Sequence, residues 1–366
     1  MSKRRVKAGI IGFGLAGRVF HAPFISAVPE LELAAIVQRS GDAAAMAYPD
    51  VTVYRSVEDL LASDVELIVV GTPNATHFPF AKQALQAGKH VVVDKPFAPS
   101  SSEAKELESI AVEGGLVLAP FHNRRWDGDF LTLKEIIADG NVGRVSTLES
   151  HFDRFRPLPR VGTWKEAQGS ENGMLMDLGP HLVDQALALF GRPESITASV
   201  RSDRDSSGIE DAFDITLRFT HQGNPLLVHA RATMLAAEPA PRFRVHGTLG
   251  SFVKWGLDPQ EPTIAGGAKV PSLSDTAAIW LAEPESAWGT LTTAPDPAKP
   301  ETLERRKVPT ARGDYRGYYR NIASAILGEG ELAVTARDGF RAIRLLELAR
   351  ESSKAGCTLQ VNDGDW

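Results

Sequence analysis

Val6-Lys7-Ala8-Gly9-Ile10-Ile11-Gly12-Phe13-Gly14-Leu15-Ala16-Gly17-Arg18-Val19-Phe20 is the stretch from which the fold reads outward. Val6–Ile11 is a brief apolar run that passes straight into glycines, too short for the core of a signal peptide, and it reads as a buried strand. Gly12, Gly14 and Gly17 follow at G-x-G-x-x-G spacing, and a helical pattern over 18–28 opens on the last of them. Glycine at the first place allows a tight turn, at the second close approach of a pyrophosphate, and at the third tight packing of helix on strand. The helix N-terminus then presents free N–H groups to the anion. Strand, glycines and helix in that order predict a dinucleotide-binding loop, with Phe13 and Leu15 lying between the glycines.

Outward from that loop, short β-branched runs alternate with helical patterns as far as residue 119. Val6–Ile11, Leu31–Val37, Leu67–Val70, His90–Val93 and 116–119 read as strands. Such alternation predicts a parallel sheet covered by helices. Ser56 with Asp59, and Ser100 with Glu103, mark helix starts, while Gly88 and Gly114 sit where helix C-caps are expected. After Pro120 the texture changes to longer alternating runs at 145–155, 195–204, 211–220, 226–236, 242–246 and 251–255, which predict an open, mostly antiparallel sheet. Helical patterns at 130–139, 181–190, 315–327 and 335–353 accompany it. The fold class is therefore α/β: a dinucleotide-binding domain over 1–121 and an α+β domain over 122–366 for substrate binding and oligomerisation. Residues 257–309, rich in Pro, Gly, Ala and Thr, read as a long connection serving as a lid or an oligomer contact.

Bulk properties agree with two domains for 366 residues. Hydrophobic residues are 43% and charged residues 23%, enough to bury substantial cores. A formal charge of −6 gives no positive field for nucleic acid or anionic lipid, so neither is an expected partner. Cys357 is the one cysteine, and the seven histidines other than His77 and His181 show no spacing with Cys or acidic residues that suggests a metal site. No apolar run approaches membrane-spanning length, and the expected location is cytoplasmic.

The second strand ends in Val37-Gln38-Arg39-Ser40, about twenty residues after Gly17, where an NAD enzyme usually carries an acid for the ribose hydroxyls. No acid occupies 37–41. Arg39 with the adjacent Ser40 hydroxyl suits a 2′-phosphate, so NADP is the expected cofactor, with NAD as the alternative. His90-Val91-Val92-Val93-Asp94-Lys95-Pro96 sets Lys95 at the carboxyl end of a strand, the edge of a parallel sheet where ligands bind. Asp177-Leu178-Gly179-Pro180-His181 places a carboxylate four residues before a histidine. Pro180 suits the first turn of a helix, which puts Asp177 at or just before the helix start. Such a pair can orient a hydroxyl and move its proton, and Lys95 can stabilise the oxyanion or itself act as base.

Together these marks resemble the Gfo/Idh/MocA oxidoreductase family over nearly the whole chain. The resemblance rests on Gly12-x-Gly14-x-x-Gly17, Thr72-Pro73-Asn74-x-x-His77, Asp94-Lys95-Pro96 and Asp177-x-x-x-His181. It implies a Rossmann domain followed by an open-faced sheet domain with the active site between them, catalysis by Lys95, Asp177 and His181, and cofactor contacts from Thr72, Pro73, Asn74, His77 and Lys95. The family signature usually begins with Glu, and Asp94 departs from it. The segments at 14–23, 123–130 and 177–181 are similar to the branch of NADP-dependent scyllo-inositol dehydrogenases, which implies a polyol or sugar substrate. Polyols are held by hydrogen bonds and aromatic stacking, which makes Asn123, Trp126, Asp127, Arg154 and Trp164 candidate substrate contacts. The family also contains NAD-dependent redox-assisted glycosidases and a cofactor-sensing regulator, which stand as alternative readings. A homodimer or homotetramer is expected, because the exposed face of an open sheet usually needs a partner.

Overall fold

The computed structural model describes residues 4–366 apart from 161, 164, 165, 167, 206, 277–279 and 295. The chain divides into two compact units. The first runs through Asn123 and also takes Pro259–Trp280 and Asp314–Ile343; the second holds Arg124–Asp258, Leu281–Gly313 and Arg344–Trp366.

The first unit is built on six parallel strands: β1 Val6–Ile11, β2 Leu31–Val37, β3 Thr52–Tyr54, β4 Leu67–Val70, β5 His90–Val93 and β6 Leu118–Pro120. Their order is β3-β2-β1-β4-β5-β6. Val6, Ala8, Ile10, all of β4 and Val91 to Val93 are fully buried, as expected of strands covered on both faces. Between the strands lie α1 Ala22–Ala27, α2 Ala43–Ala47, α3 Val57–Leu61, α4 His77–Gln86 and α5 Ser101–Gly114. Ser56 and Ser100 cap as expected, each side-chain oxygen accepting the backbone N–H three residues on. The left-handed residue ending α5 is Gly115, with φ +62°, where Gly114 was the expectation. Strand order reverses at β1, which has β2 on one side and β4 on the other, and in such sheets ligands sit at the carboxyl ends beside that switch.

The second unit carries α6 Gly128–Ala138 and α7 Gly173–Phe190 with a nine-stranded sheet. Its strands are β7 Val145–His151, β8 Ser195–Arg201, β9 Ala212–His221, β10 Asn224–Thr233, β11 Phe243–Gly247, β12 Gly250–Lys254, β13 Gly289–Thr293, β14 Glu304–Val308 and β15 Leu359–Gln360. The order is β14-β13-β12-β11-β7-β10-β9-β8-β15, and only β7 with β10 is parallel. Phe213, Ile215, Leu217 and Phe219 of β9 and Leu226, Val228 and Ala230 of β10 alternate into the core, where α7 packs over both strands. The neighbouring positions are polar, with Arg231 of β10 paired to Asp214 of β9 at 2.9 Å.

Two expectations about domain layout are corrected. The span 257–309 is not a plain connection: it contains the helix α8 Gln260–Ala265 and the two strands β13 and β14. β14, Glu304-Arg305-Arg306-Lys307-Val308, is an edge strand protected by charge, so it shows no apolar alternation to read. The second domain is also not contiguous. α9 Arg316–Ile326 and the first residues of α10 Ala336–Ala355 belong to the first unit. The reason is aromatic packing. Tyr315, Tyr318 and Tyr319 are fully buried, with Tyr315 edge-on to Phe24 at 5.5 Å and Tyr318 edge-on to Phe121 at 4.9 Å.

Candidate active site

The glycine loop follows β1. Gly12 has φ +100°, and a Cβ there would lie 2.8 Å from the Gly71 carbonyl oxygen; at Gly17 a Cβ would lie 2.4 Å from the Gly12 carbonyl oxygen. The backbone itself imposes both glycines. Gly14 differs: it has no positive φ, and a Cβ there would meet nothing within 4 Å. The fold does not need glycine at that position, so the open space above it suits a ligand that approaches the backbone, as a dinucleotide pyrophosphate does. Phe13 turns inward, edge-on to Tyr48 at 6.1 Å, while Leu15 is exposed. The helix expected over 18–28 is in two parts, a widened π-turn at Ala16–His21 followed by α1. Pro23 lacks the N–H that would bond back to Val19, and the ladder changes pitch around it.

At the carboxyl end of β2, Arg39 and Ser40 are exposed, and Arg39 makes no hydrogen bond or ion pair among the described residues. The loop beneath them is fixed by Gln38, which donates to the Ser40 carbonyl at 2.9 Å and accepts from Ala44 N–H at 2.7 Å. Arg55, absent from the expected site, adds a second guanidinium here. It donates to the carbonyls of Gln38 and Gly41 at 3.0 and 2.6 Å and pairs with Asp42 at 2.9 Å.

After β4, the Thr76 hydroxyl donates to the Pro73 carbonyl at 2.6 Å and lies 2.7 Å from the Thr72 hydroxyl, and Asn74 is buried. His77 is buried too. Its Nδ1 faces the Pro96 carbonyl at 2.7 Å and its Nε2 the Thr72 carbonyl at 2.8 Å, and burial pushes its pKa down, so the neutral ring donates to one of the two carbonyls. His77 thus lies between the Thr72 loop and the Lys95-Pro96 loop. Lys95 is half-buried, and its backbone N–H donates to Asp94 Oδ1 at 2.8 Å. Burial alone would raise the Asp94 carboxyl, but His21, Lys95 and His77 outweigh it and hold the group down to about 2.

In the second unit, α7 begins at Gly173, which has φ +86°, rather than near Pro180. Pro180 lies inside the helix, so Asp177 is not a cap but a full helical residue one turn before His181, and the two share a face. Arg154 Nη1 stands 3.3 Å from Asp177 Oδ2, and His181 is buried. Asp184 continues the same face. Arg125 grips it with two hydrogen bonds of 2.9 and 2.6 Å, and Arg242 donates to Gln185 at 2.6 Å. Asp127 is fully buried and pairs with Arg124 at 3.2 Å. Asn123 is buried, Trp126 is half-buried, and Trp164 lies outside the described residues.

Residues 6–122 match the family model described as an oxidoreductase family with an NAD-binding Rossmann fold, and residues 130–253 match the GFO/IDH/MocA C-terminal domain. The chain is 42% identical to the uncharacterized oxidoreductase YdgJ of Escherichia coli (strain K12), over 97% of this chain and 98% of that one. It is 35% identical to scyllo-inositol 2-dehydrogenase (NADP(+)) IolW of Bacillus subtilis (strain 168), over 97% of this chain and 96% of that one. The solved structure of yvaA from Bacillus subtilis superposes with a TM-score of 0.90 at 34% identity, covering 98% of this chain and 99% of that one. The chain belongs to the Gfo/Idh/MocA oxidoreductase family.

For a Gfo/Idh/MocA protein the glycine loop is therefore the dinucleotide cradle, and its fit rests on the open space at Gly14. Sequence reasoning missed three contributors. Arg55 and Arg125 are surface arginines by type, and only the fold shows what they hold. His21 is the third. It sits in the quoted glycine-rich stretch, but its partner Tyr319 stands 298 positions away, beyond any spacing signal.

Proposed function

We propose that this family member is an NADP-dependent dehydrogenase of a polyol or sugar hydroxyl, inositol-like in character. The observation that carries the cofactor reading is Arg39. It is exposed at the end of β2 and unengaged among the described residues, with the Ser40 hydroxyl beside it, where an NAD-specific loop would place a carboxylate. The 35% identity to an NADP-dependent scyllo-inositol dehydrogenase supports both halves of the reading.

Held by its pyrophosphate at the loop of Gly12, Gly14 and Gly17, the dinucleotide would supply the hydride acceptor or donor. The chain supplies the proton chemistry. Lys95 donates to the substrate oxygen and stabilises its negative charge, His181 takes the hydroxyl proton, and Asp177, itself fixed by Arg154, orients that hydroxyl. Titration calorimetry with NADPH and NADH tests the cofactor half. Tighter binding of NADPH, lost in Arg39→Ala, supports the reading, and equal affinities that ignore the substitution refute it.

A further inference from the structure

A buried polar chain runs behind Lys95. His21 is wholly buried; its Nδ1 lies 2.7 Å from the Tyr319 hydroxyl, and its Nε2, which has no hydrogen-bond partner among the described residues, points at Oδ2 of the half-buried Asp94 across 3.9 Å. Asp94 in turn accepts the Lys95 backbone N–H. Three elements meet here: the π-turn after the glycine loop, the end of β5, and α9. The surroundings are aromatic, with Phe121 edge-on to His21 at 4.6 Å and Tyr318 edge-on to Tyr319 at 5.4 Å. A phenol, an imidazole and a carboxylate are costly in such a place, where apolar residues would pack as well. We propose that His21 and Tyr319 are positioning residues that act through Asp94 to fix the turn that carries Lys95. The proposal rests on Lys95 being the reactive lysine of the dehydrogenase reading above.

The direction of the chain follows from charge. Asp94 is ionised, so the nitrogen facing it must carry the hydrogen, since a lone pair there would be repelled. Burial pushes the Tyr319 phenol well above its usual range, so it stays protonated and donates to Nδ1. Tyr319 O–H thus fixes the His21 ring, which turns Nε2 towards Asp94 across 3.9 Å. The groups that bear on Asp94 are His21, Lys95 and His77; on Tyr319, they are Asp94 and Tyr318, whose own hydroxyl donates to the Pro120 carbonyl at 2.9 Å. A carboxylate adjoining Lys95 favours the charged lysine.

Competitive acylation of Lys95 across pH, read by mass spectrometry, measures its titration without turnover. We expect Asp94→Asn to move the Lys95 titration to lower pH by about one unit, with His21→Gln and Tyr319→Phe moving it less in the same direction and Asp94→Glu restoring it. In steady-state kinetics the same variants lower kcat while KM for the cofactor stays near wild type. Tyr319→Phe keeps the ring and its packing, so it remains informative if the bolder substitutions fail to fold. A Lys95 titration that is identical in wild type and Tyr319→Phe, with kcat unchanged, overturns the proposal. Because labelling needs no substrate, a shifted Lys95 in a protein that oxidises no polyol would uphold the relay and remove the dehydrogenase reading.

Discussion

Arg154 and Asp177 form an ion pair at 3.3 Å between the segment after β7 and the middle of α7, one helical turn from His181. Both side chains keep some solvent contact, 26% and 19%, so the pair adds little to stability, under about 1 kcal/mol. Its value lies in aiming the carboxylate. Arg154→Met should lower kcat/KM for the substrate by roughly tenfold to a hundredfold, the range expected when an orienting group is lost, with thermal unfolding nearly unchanged. Steady-state kinetics beside calorimetry checks both halves.

The glycines of the nucleotide loop should separate by role. Gly17→Ala forces a Cβ against the Gly12 carbonyl oxygen at 2.4 Å and should destabilise the fold by about 1–3 kcal/mol. Gly14→Ala meets open space, so its stability should stay within about 0.5 kcal/mol of wild type while NADPH affinity falls. Urea unfolding and cofactor titration on the two variants give the comparison.

His77 lies between two loops, facing a backbone carbonyl of each. His77→Leu removes both contacts and leaves two carbonyls without the ring, which should destabilise by about 1–3 kcal/mol. Cofactor affinity, measured at a temperature where the variant is folded, should fall only through the loosened loops, far less than in Gly14→Ala.

Acid should act through Asp94. Its carboxyl titrates near 2 in the folded chain, below its ordinary value of 3.8, so the stability it contributes is present above about pH 4 and is lost as pH falls towards 2. The amount is about 2 kcal/mol. Unfolding free energies from pH 6 to pH 2 should show wild type losing its margin over Asp94→Asn across that window.

Where the sequence could be read, the reason is burial. β1, β2, β4 and β5 match the expected ranges residue for residue because strands covered on both faces are mostly apolar, unbroken in β4 and interrupted only by Lys7 in β1, Glu32 in β2 and His90 at the start of β5. β3 is three residues long, with Thr52 exposed and Val53 and Tyr54 half-buried, and β14 is a charged edge, so neither carries a pattern. The start of α7 was obscured by Pro180, a residue that favours first turns but is accommodated here in the interior of a helix opened by Gly173. Lys95, Asp177 and His181 were legible as a motif. Arg154 was legible only as a candidate substrate contact, not as the partner of Asp177, and the pairing of His21 with Tyr319 was not legible because 298 positions separate them.

The most direct test of the central reading is turnover. Purified protein is mixed with NADP or NAD and a panel of inositols and sugars, and absorbance of the reduced cofactor is followed, with keto sugars in the reverse direction. The account predicts turnover of a polyol, inositols foremost, with NADP above NAD. Turnover confined to NAD would contradict the reading of Arg39 and Ser40, and bound cofactor without turnover in either direction would contradict the dehydrogenase assignment itself.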